Sequence, residues 1–239
     1  MGPVLEGKAA LVTGAAGGIG GAVARAFADA GARVVRVDRV DVEAVFDLSR
    51  ADEAERAVTT AEERLGRLDL LFNGAGISGR TLGDGPVEEC TEEAWNAVLD
   101  ANLKTVFLCS KYAIPALRRA GGGSVINLSS VLGLVGSDLF DTHAYAASKG
   151  AIVALTRAMA LSYARDGIRI NAICPGLIHT AMSERARSDS HTMARLRELQ
   201  PLTGEAGRPE DVAGAAVYLA SAPFVTGAVL TVDGGWTAQ

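Results

Sequence analysis

Short apolar runs alternate with longer stretches of helical periodicity along most of this chain. Seven runs rich in Val, Ile, Leu and Ala predict β-strands at Ala9–Thr13, Arg33–Asp38, Ala44–Asp47, Leu68–Asn73, Ser124–Ser129, Arg169–Cys174 and Ala228–Val232. Apolar residues at helical spacing predict helices at Gly18–Ala30, Asp52–Leu65, Glu92–Arg119, Ala144–Ala164 and Pro209–Ala220. Such alternation is typical of βαβ units, so the pattern predicts an α/β fold, a doubly wound parallel sheet with helices on both faces.

Two segments depart from this alternation. Only Arg39–Glu43 separates the second predicted strand from the third, which is too short for a crossover helix and predicts a bare loop. The segment Ala181–Thr203 is polar and weakly periodic, and we interpret it as a mobile, partly helical insertion. No repeat or linker interrupts the pattern, so we expect residues 1–239 to form one domain.

The composition is that of an ordinary globular protein, with 49% hydrophobic and 21% charged residues among 239. A net charge of −5 without a basic stripe argues against nucleic acid as a partner. Cys90, Cys109 and Cys174 lack metal-ligand spacing and predict reduced thiols, hence a cytoplasmic protein without a bound metal. The N-terminus lacks the pattern of a signal peptide, and no apolar run is long enough to predict a membrane span.

A glycine-rich segment, Thr13–Gly20, follows the first predicted strand and opens the first predicted helix. Its glycines are spaced G-x-x-x-G-x-G, at Gly14, Gly18 and Gly20. Glycines at these positions permit a tight turn and close backbone approach, and a helix N-terminus attracts a pyrophosphate. The segment therefore predicts a dinucleotide-binding loop rather than an ordinary glycine-rich turn.

Asp38 ends the second predicted strand, where an acidic side chain can bind the ribose hydroxyls of an adenosine. The same carboxylate would repel a 2′-phosphate by roughly several kcal/mol at an effective dielectric constant near 20. This predicts NAD as the cofactor over NADP. Arg39 could compensate for that repulsion, so the sequence leaves NADP open.

Tyr145 and Lys149 stand four residues apart in a predicted helix and share one helical face. A free tyrosine titrates near pKa ~10 and is a poor base at neutral pH, but a neighbouring cation favours the phenolate. Lowering its pKa to about 7 requires roughly 4 kcal/mol, which a lysine and a positively charged nicotinamide ring could supply together. The pair is thus a candidate acid/base for moving a hydroxyl proton.

With these motifs the chain resembles the short-chain dehydrogenase/reductases of the compact single-domain type, over nearly its whole length. The resemblance implies a Rossmann-like fold of about seven strands. It implies cofactor contacts at Gly14, Ala16, Gly17, Gly18, Ile19, Gly20, Asp38, Asp47, Leu48, Asn73, Gly74, Ala75, Tyr145, Lys149, Ile178 and Thr180. One departure lies in this set: Gly74 stands where the family pattern has a second asparagine.

The resemblance also implies a catalytic tetrad of Asn102, Ser130, Tyr145 and Lys149. In it Tyr145 is the acid/base, Ser130 binds the substrate oxygen, and Lys149 lowers the tyrosine pKa and binds the ribose. Asn102 orders a water molecule in the proton relay. Ser130 and Tyr145 are 15 residues apart, about two more than is usual in the family, so we expect the loop 132–142 to reshape the substrate opening.

Structural roles, without a part in catalysis or binding, remain open for individual residues. Asn102 could hydrogen-bond a nearby backbone carbonyl within its helix, and Ser129 could be the working serine, although the family pattern favours Ser130. His143 near Tyr145 suits a packing or surface role. Five arginines border the expected substrate region and could bind an anionic substrate or belong to a solvated polar lid: Arg80, Arg185, Arg187, Arg195 and Arg197.

Together these observations predict an NAD(H)-dependent oxidoreductase that interconverts a secondary alcohol and a ketone, small molecules whose structure the sequence does not reveal. The alternatives are an NADPH-dependent 3-oxoacyl reductase and a non-catalytic nucleotide-sensing protein on the same fold. The apolar helices Glu92–Arg119 and Ala144–Ala164 and the stretch Val225–Trp236 predict a homo-oligomer, with a tetramer favoured over a dimer.

Overall fold

A seven-stranded parallel sheet forms the centre of the computed structural model, which describes residues 3–239. Its strands lie in the order β3-β2-β1-β4-β5-β6-β7. Their bounds are β1 Ala9–Thr13, β2 Arg33–Asp38, β3 Ala44–Val45, β4 Leu70–Asn73, β5 Gly123–Leu128, β6 Ile168–Pro175 and β7 Val229–Val232. The sequence predicted all seven strands, and each observed end lies within two residues of the predicted one.

Helices cover both faces of this sheet. Their bounds are α1 Gly18–Asp29, α2 Ala51–Leu65, α3 Glu92–Leu99, α4 Thr105–Arg119, α5 His143–Tyr163, α6 Glu184–Ser188, α7 Ser190–Leu199 and α8 Pro209–Ser221. Helices α1 and α8 pack on one face, and α2, α4 and α5 pack on the other. Strand β1 shows why, since Ala9 and Leu11 join one apolar core while Ala10 and Val12 join the other. The prediction of a doubly wound α/β sheet is confirmed.

The connection between β2 and β3 is a bare loop, as predicted. Val37 pairs with Ala44 and Asp38 with Val45 in parallel register, so the five residues 39–43 make the whole connection. The Phe46 N–H donates to the Asp38 carbonyl at 2.9 Å. Strand β3 is shorter than predicted because the chain then turns at Asp47, whose carboxylate accepts hydrogen bonds from Ser49.

The prediction of one continuous helix from Glu92 to Arg119 is wrong at its middle. A π-helical turn, Asp100–Lys104, separates α3 from α4. A π-helical turn inserts extra backbone into a helix and is frequent at functional sites. Apolar periodicity continues through the turn, which is why the sequence pattern did not reveal it.

The polar segment 181–203 folds into a short 3₁₀ turn, Ala181–Ser183, followed by α6 and α7. Leu196 of α7 is fully buried against the rest of the protein. The helices agree with the sequence interpretation, whereas the mobility of the segment and the single-domain organisation remain predictions. Within residues 3–239, no helix has the length and apolarity needed to cross a bilayer.

Candidate active site

The glycine-rich loop between β1 and α1 lies against the loop that follows β4. A side chain at Gly14, whose φ is +69°, would come within 2.5 Å of the Gly74 backbone. A side chain at Gly20 would come within 2.1 Å of the Gly14 carbonyl oxygen. Both positions therefore require glycine. Helix α1 begins after Gly17 with no side-chain cap and no acidic residue in its first turn, and Gly18, Ile19 and Gly20 of that turn line the cavity beside this loop.

Asp38 connects the end of β2 to this loop. Its carboxylate accepts hydrogen bonds from the Ala16 N–H at 3.0 Å and from the Arg39 N–H at 2.7 Å. Asp38 and Arg39 both line the cavity, as do Asp47 and Leu48 farther along. Ala16 is not part of the cavity wall, although its N–H donates to Asp38, which is.

Asn73 is also absent from the cavity wall, although the resemblance implied a cofactor contact. Its side chain is buried and donates to Ser110 Oγ at 3.2 Å and to Asn127 Oδ1 at 2.9 Å. Asn73 therefore joins β4 to β5 and α4. The next residues along the chain, Gly74 and Ala75, do line the cavity, as do Ile178 and Thr180 beyond β6.

Ser130, Tyr145 and Lys149 meet at the wall of this same cavity. The Lys149 ammonium is buried, lies 5.4 Å from the centre of the Tyr145 ring and donates to the Leu128 carbonyl at 2.9 Å. Residues four apart on α5 thus face the same space, as the helical spacing predicted. The serine comes from the other side, at the end of β5.

Burial dominates the ionisation of Tyr145 and Lys149. Burial raises the pKa of Tyr145 above its ordinary value, and the hydrogen bond with Ser130 opposes this in part. Burial also lowers the pKa of Lys149 to about 8. Lys149 alone therefore does not bring the phenol toward neutral pH, and additional positive charge beside the ring is needed to favour the phenolate.

The two neighbouring serines point in different directions. Ser129 Oγ donates to the Lys149 carbonyl at 2.7 Å and so binds the backbone of α5. Ser130 Oγ accepts from the Leu132 N–H at 3.2 Å, and its hydroxyl is the polar neighbour that lowers the pKa of Tyr145 against the effect of burial. Of the two hydroxyls, the geometry therefore places Ser130 beside the phenol.

Asn102 lies in the π-helical turn and is fully buried. Its Oδ1 accepts from the Ile77 N–H at 2.7 Å, and its Nδ2 donates to the Ile77 carbonyl at 3.1 Å and to Ser148 Oγ at 3.0 Å. The side chain thus binds the backbone of a residue 25 positions away rather than a carbonyl of its own helix. Asn102 does not line the cavity itself, and its part in a proton relay remains a prediction.

The end of the cavity beyond Tyr145 has an aromatic and aliphatic wall. Trp236 is buried and its ring lies 5.9 Å from that of Phe140 between centroids. Leu132 and Leu177 extend this wall. The Asp233 carboxylate holds Trp236 in place by accepting hydrogen bonds from the N–H groups of the residues on either side of it, at 3.0 and 2.9 Å. No motif in the sequence indicated this role for the C-terminal tryptophan.

Three of the five arginines near this region form ion pairs or hydrogen bonds with other residues of the chain. Arg80 pairs with Asp141 at 2.5 Å, and Arg195 pairs with both Asp138 and Glu198 at 3.0 Å. Arg187 donates to Ser183 Oγ and to the Thr180 carbonyl. Arg185 lines the cavity next to Glu184, and within residues 3–239 it forms no ion pair. The structure therefore supports a polar lid in which most of these arginines bind other residues of the chain.

The whole cavity has a volume of about 1290 Å³ and extends from the loop after β2 to Trp236. That exceeds the ~300–1,000 Å³ typical of a site for one small ligand. The glycine loop, Asp38 and the open end of α1 fit a dinucleotide at one end, and the apolar wall leaves room for a second molecule beside Tyr145. In the part of the chain that the structure describes, no cluster of His, Cys, Asp or Glu could hold a metal ion.

Comparison with known proteins agrees with this geometry. A family model described as "Enoyl-(Acyl carrier protein) reductase" matches residues 14–237. The cis-4-hydroxycyclohexanecarboxylate dehydrogenase of Sinomonas cyclohexanicum is 38% identical over 258 residues, covering 100% of both chains. A 3-oxoacyl-(acyl-carrier-protein) reductase of Thermotoga maritima is 36% identical and covers 97% of this chain and 98% of its own. A solved structure from Beutenbergia cavernae, with NADP bound at low occupancy, is 36% identical, with a TM-score of 0.90 and 100% coverage of both chains.

Proposed function

This chain belongs to the short-chain dehydrogenase/reductase family, and we propose that it is an NAD(H)-dependent enzyme that interconverts a secondary alcohol and a ketone. Family membership itself makes it an oxidoreductase that uses a nicotinamide cofactor, NAD(P). One observation carries the proposal: Ser130, Tyr145 and Lys149 line the same cavity as the glycine-rich loop. A proton-transfer group is thus next to a place that fits a dinucleotide.

In this mechanism the residues of the chain hold and move one proton. Ser130 donates a hydrogen bond to the substrate oxygen and stabilises its developing charge. Tyr145 takes the hydroxyl proton during oxidation and returns it during reduction. The Lys149 ammonium stabilises the phenolate through its positive charge. When bound, the nicotinamide ring accepts or supplies the hydride.

Asp38 supports NAD over NADP. Its carboxylate lies at the cavity wall, where it can accept the ribose hydroxyls and would repel a 2′-phosphate. Its neighbour Arg39 is exposed on the same wall, where its positive charge could compensate for the repulsion of a 2′-phosphate by Asp38. An NADPH-dependent 3-oxoacyl reductase, the activity in the name of the Thermotoga maritima relative, is therefore the second candidate. A nucleotide sensor has less support, since it would have no need of the Ser130–Tyr145–Lys149 arrangement.

The apolar wall supports an alcohol carried on a saturated ring. Phe140, Trp236, Leu132 and Leu177 offer hydrophobic contact and few hydrogen-bonding groups, which suits a cyclic aliphatic alcohol better than a sugar. The relative from Sinomonas cyclohexanicum is named for a substrate of this kind.

The experiment is a panel of alcohols assayed with NAD and with NADP by the absorbance of the reduced cofactor. The panel contains cyclohexanol, cis-4-hydroxycyclohexanecarboxylate, a polyol, an aldose and a 3-hydroxyacyl ester. We expect the highest kcat/KM for a ring alcohol with NAD. The absence of turnover with every alcohol and both cofactors would contradict the enzymatic proposal, and a preference for the 3-hydroxyacyl ester with NADP would favour the second candidate.

We further propose a cytoplasmic homo-oligomer, with a tetramer favoured over a dimer. Large apolar side chains are exposed on two separate surfaces. Phe107 of α4 and Leu161 of α5 are exposed on the surface that covers one face of the sheet, and Tyr218 of α8 and Phe224 just beyond it are exposed on the surface that covers the other. Two distinct apolar surfaces suit two kinds of two-fold contact. The free cysteines, two of them buried, accord with a reducing compartment.

A further inference from the structure

The N-terminus of helix α5 is capped by a loop that lies about sixty residues earlier in the chain. The buried Asp84 carboxylate accepts hydrogen bonds from the Ala144 N–H and the Tyr145 N–H, both at 2.9 Å. The carbonyl of the neighbouring Gly85 accepts from the His143 N–H at 3.2 Å. These three N–H groups form the first turn of the helix. Residues 84 and 85 therefore satisfy all of them.

Among residues 3–239, nothing else caps the helix at this end. Thr142 stands at the N-cap position, but its side chain makes no capping hydrogen bond, and the first turn contains no acidic residue. Without Asp84, two N–H groups at a buried helix end would lose their partners, and each such loss typically costs about 1–3 kcal/mol. A carboxylate at a helix N-terminus also interacts favourably with the helix dipole.

The loop that supplies this cap is itself attached at its other end. Asn102 binds both backbone groups of Ile77 and also donates to Ser148, whose hydroxyl in turn donates to the Tyr145 carbonyl at 2.7 Å. The loop and the π-helical turn thus hold Tyr145 through its N–H and its carbonyl. Asp84 does not line the cavity, so its effect on the substrate is indirect.

We propose that Asp84 is a positioning residue for the reaction. Its carboxylate fixes the first turn of α5 and thereby keeps the Tyr145 phenol beside Ser130 and the reacting oxygen. The proposal rests on the proposed function, in which Tyr145 transfers the proton. A shift of about 1 Å in a reacting group can cost on the order of 10² in rate, so a loosened first turn has a large kinetic effect.

The test compares Asp84→Asn and Asp84→Ala with a matched control, Thr91→Ala. Thr91 caps the neighbouring helix α3 by accepting from the Ala94 N–H at 3.1 Å, so its variant removes a helix cap whose hydrogen bond lies within α3 and not on α5. The turnover number kcat is calculated from the concentration of protein that binds NADH, so that unfolded protein is not counted. We expect this kcat to fall about tenfold in Asp84→Asn and about 10²-fold in Asp84→Ala. NADH affinity should stay within about twofold in all variants, and Thr91→Ala should keep its kcat.

A kinetic isotope effect separates positioning from general destabilisation. With the carbinol hydrogen of the alcohol replaced by deuterium, slower chemistry makes the hydride-transfer step more rate-limiting, so the isotope effect on kcat should increase in the Asp84 variants. A smaller active fraction would leave the isotope effect unchanged. A kcat in Asp84→Ala within about twofold of wild type, or an equal loss in Thr91→Ala, would overturn the proposal.

Hydrogen–deuterium exchange supplies a readout that does not depend on activity. In both Asp84 variants the amides of residues 143–149 should exchange faster, while those of α3 stay as in the wild type. Unchanged exchange at 143–149 would refute the anchoring contact, even if the wild-type protein oxidised no alcohol in the panel. Conversely, Asp84→Ala could remain active while Tyr145→Phe is inactive. This result would reject the positioning role of Asp84 but leave the proposed function intact.

Discussion

The Asp38 carboxylate accepts a hydrogen bond from the Ala16 N–H at 3.0 Å and so joins the end of β2 to the glycine-rich loop. This contact orients a negative charge toward the part of the cavity that fits the adenosine ribose. We predict that NAD(H) binds at least about tenfold more tightly than NADP(H), a difference of about 1.4 kcal/mol. Asp38→Ala should reduce the ratio of the NAD(H) affinity to the NADP(H) affinity, because it removes the repulsion of a 2′-phosphate.

Titration of both cofactors by protein fluorescence measures the ratio. The control is Asp41→Asn, which removes a carboxylate from the same end of the sheet, at an exposed position whose φ of +54° asparagine tolerates. It should leave the ratio unchanged. Equal affinities for the two cofactors in the wild-type protein would refute the prediction.

Replacement of the phenol should abolish proton transfer while preserving the shape of the site. We predict that Tyr145→Phe lowers kcat by at least 10², the range expected for a lost acid/base group. NADH should still bind, as fluorescence titration can show. Tyr163→Phe removes a hydroxyl from the far end of α5 and should retain kcat. If Tyr145→Phe kept more than about a tenth of the wild-type turnover, Tyr145 would not be the base.

The two directions of the reaction should respond oppositely to pH. In the proposed mechanism, oxidation needs the Tyr145 phenolate. Burial raises the pKa of Tyr145 and so opposes formation of the phenolate, and kcat/KM for the alcohol should therefore increase toward alkaline pH. Ketone reduction needs the protonated phenol and should decline over the same range. Lys149, whose pKa burial lowers to about 8, loses its charge there, which limits the gain in oxidation. Initial rates in both directions across pH test this, and parallel profiles would contradict it.

Trp236 should determine how well the site accepts a ring. Trp236→Ala removes the ring that packs beside Phe140, and we predict about a tenfold higher KM for cyclohexanol, equivalent to about 1.4 kcal/mol of lost contact. The KM of a polyol should change much less. Trp95→Ala, which truncates the tryptophan of α3, is the matched control. An equal change for the ring alcohol and the polyol would reject the hydrophobic role of Trp236.

The oligomeric state can be measured directly. Light scattering coupled to size exclusion should give a mass near four times the 24.6 kDa of the chain. Leu161→Arg and Phe224→Arg each place a charge in one of the two apolar surfaces, and each should reduce the mass to that of a dimer. Val87→Arg alters an exposed apolar residue outside both surfaces and should change nothing. A wild-type mass near 24.6 kDa at micromolar concentration would show a monomer.

Local patterns predicted the fold well because the sheet has two apolar faces. Strands buried on both sides read as short continuous apolar runs, as in Leu70–Asn73, and amphipathic helices separate them. The loop 39–43 was predictable from its length alone. The π-helical turn at Asp100–Lys104 was not, because a shift in backbone hydrogen bonding leaves the apolar spacing on either side almost unchanged.

The candidate site was predictable where its residues are close in sequence. Tyr145 and Lys149 share a helical face, and the glycines of the first loop occupy one turn, so their spacing shows their proximity. Trp236 lines the cavity and Asp84 binds the first turn of α5, both through tertiary contacts, and no motif of the sequence indicated either contact. The direction of the Asn73 side chain could not be predicted from the sequence either, because it depends on hydrogen-bond partners in α4 and β5.

The short connection between β2 and β3 makes nucleotide preference a modular property of this protein. In a sheet with a crossover helix at this position, residues after the ribose-binding acid would belong to a packed helix, and changing them would disturb the core. Here Arg39, Val40 and Asp41 are exposed, whereas Val42 packs against the core and the Glu43 carboxylate accepts from the Arg36 N–H of β2 at 2.8 Å. Residues 39–41 can therefore be exchanged together, so that cofactor use can be redesigned, or diverge between relatives, without repacking the sheet.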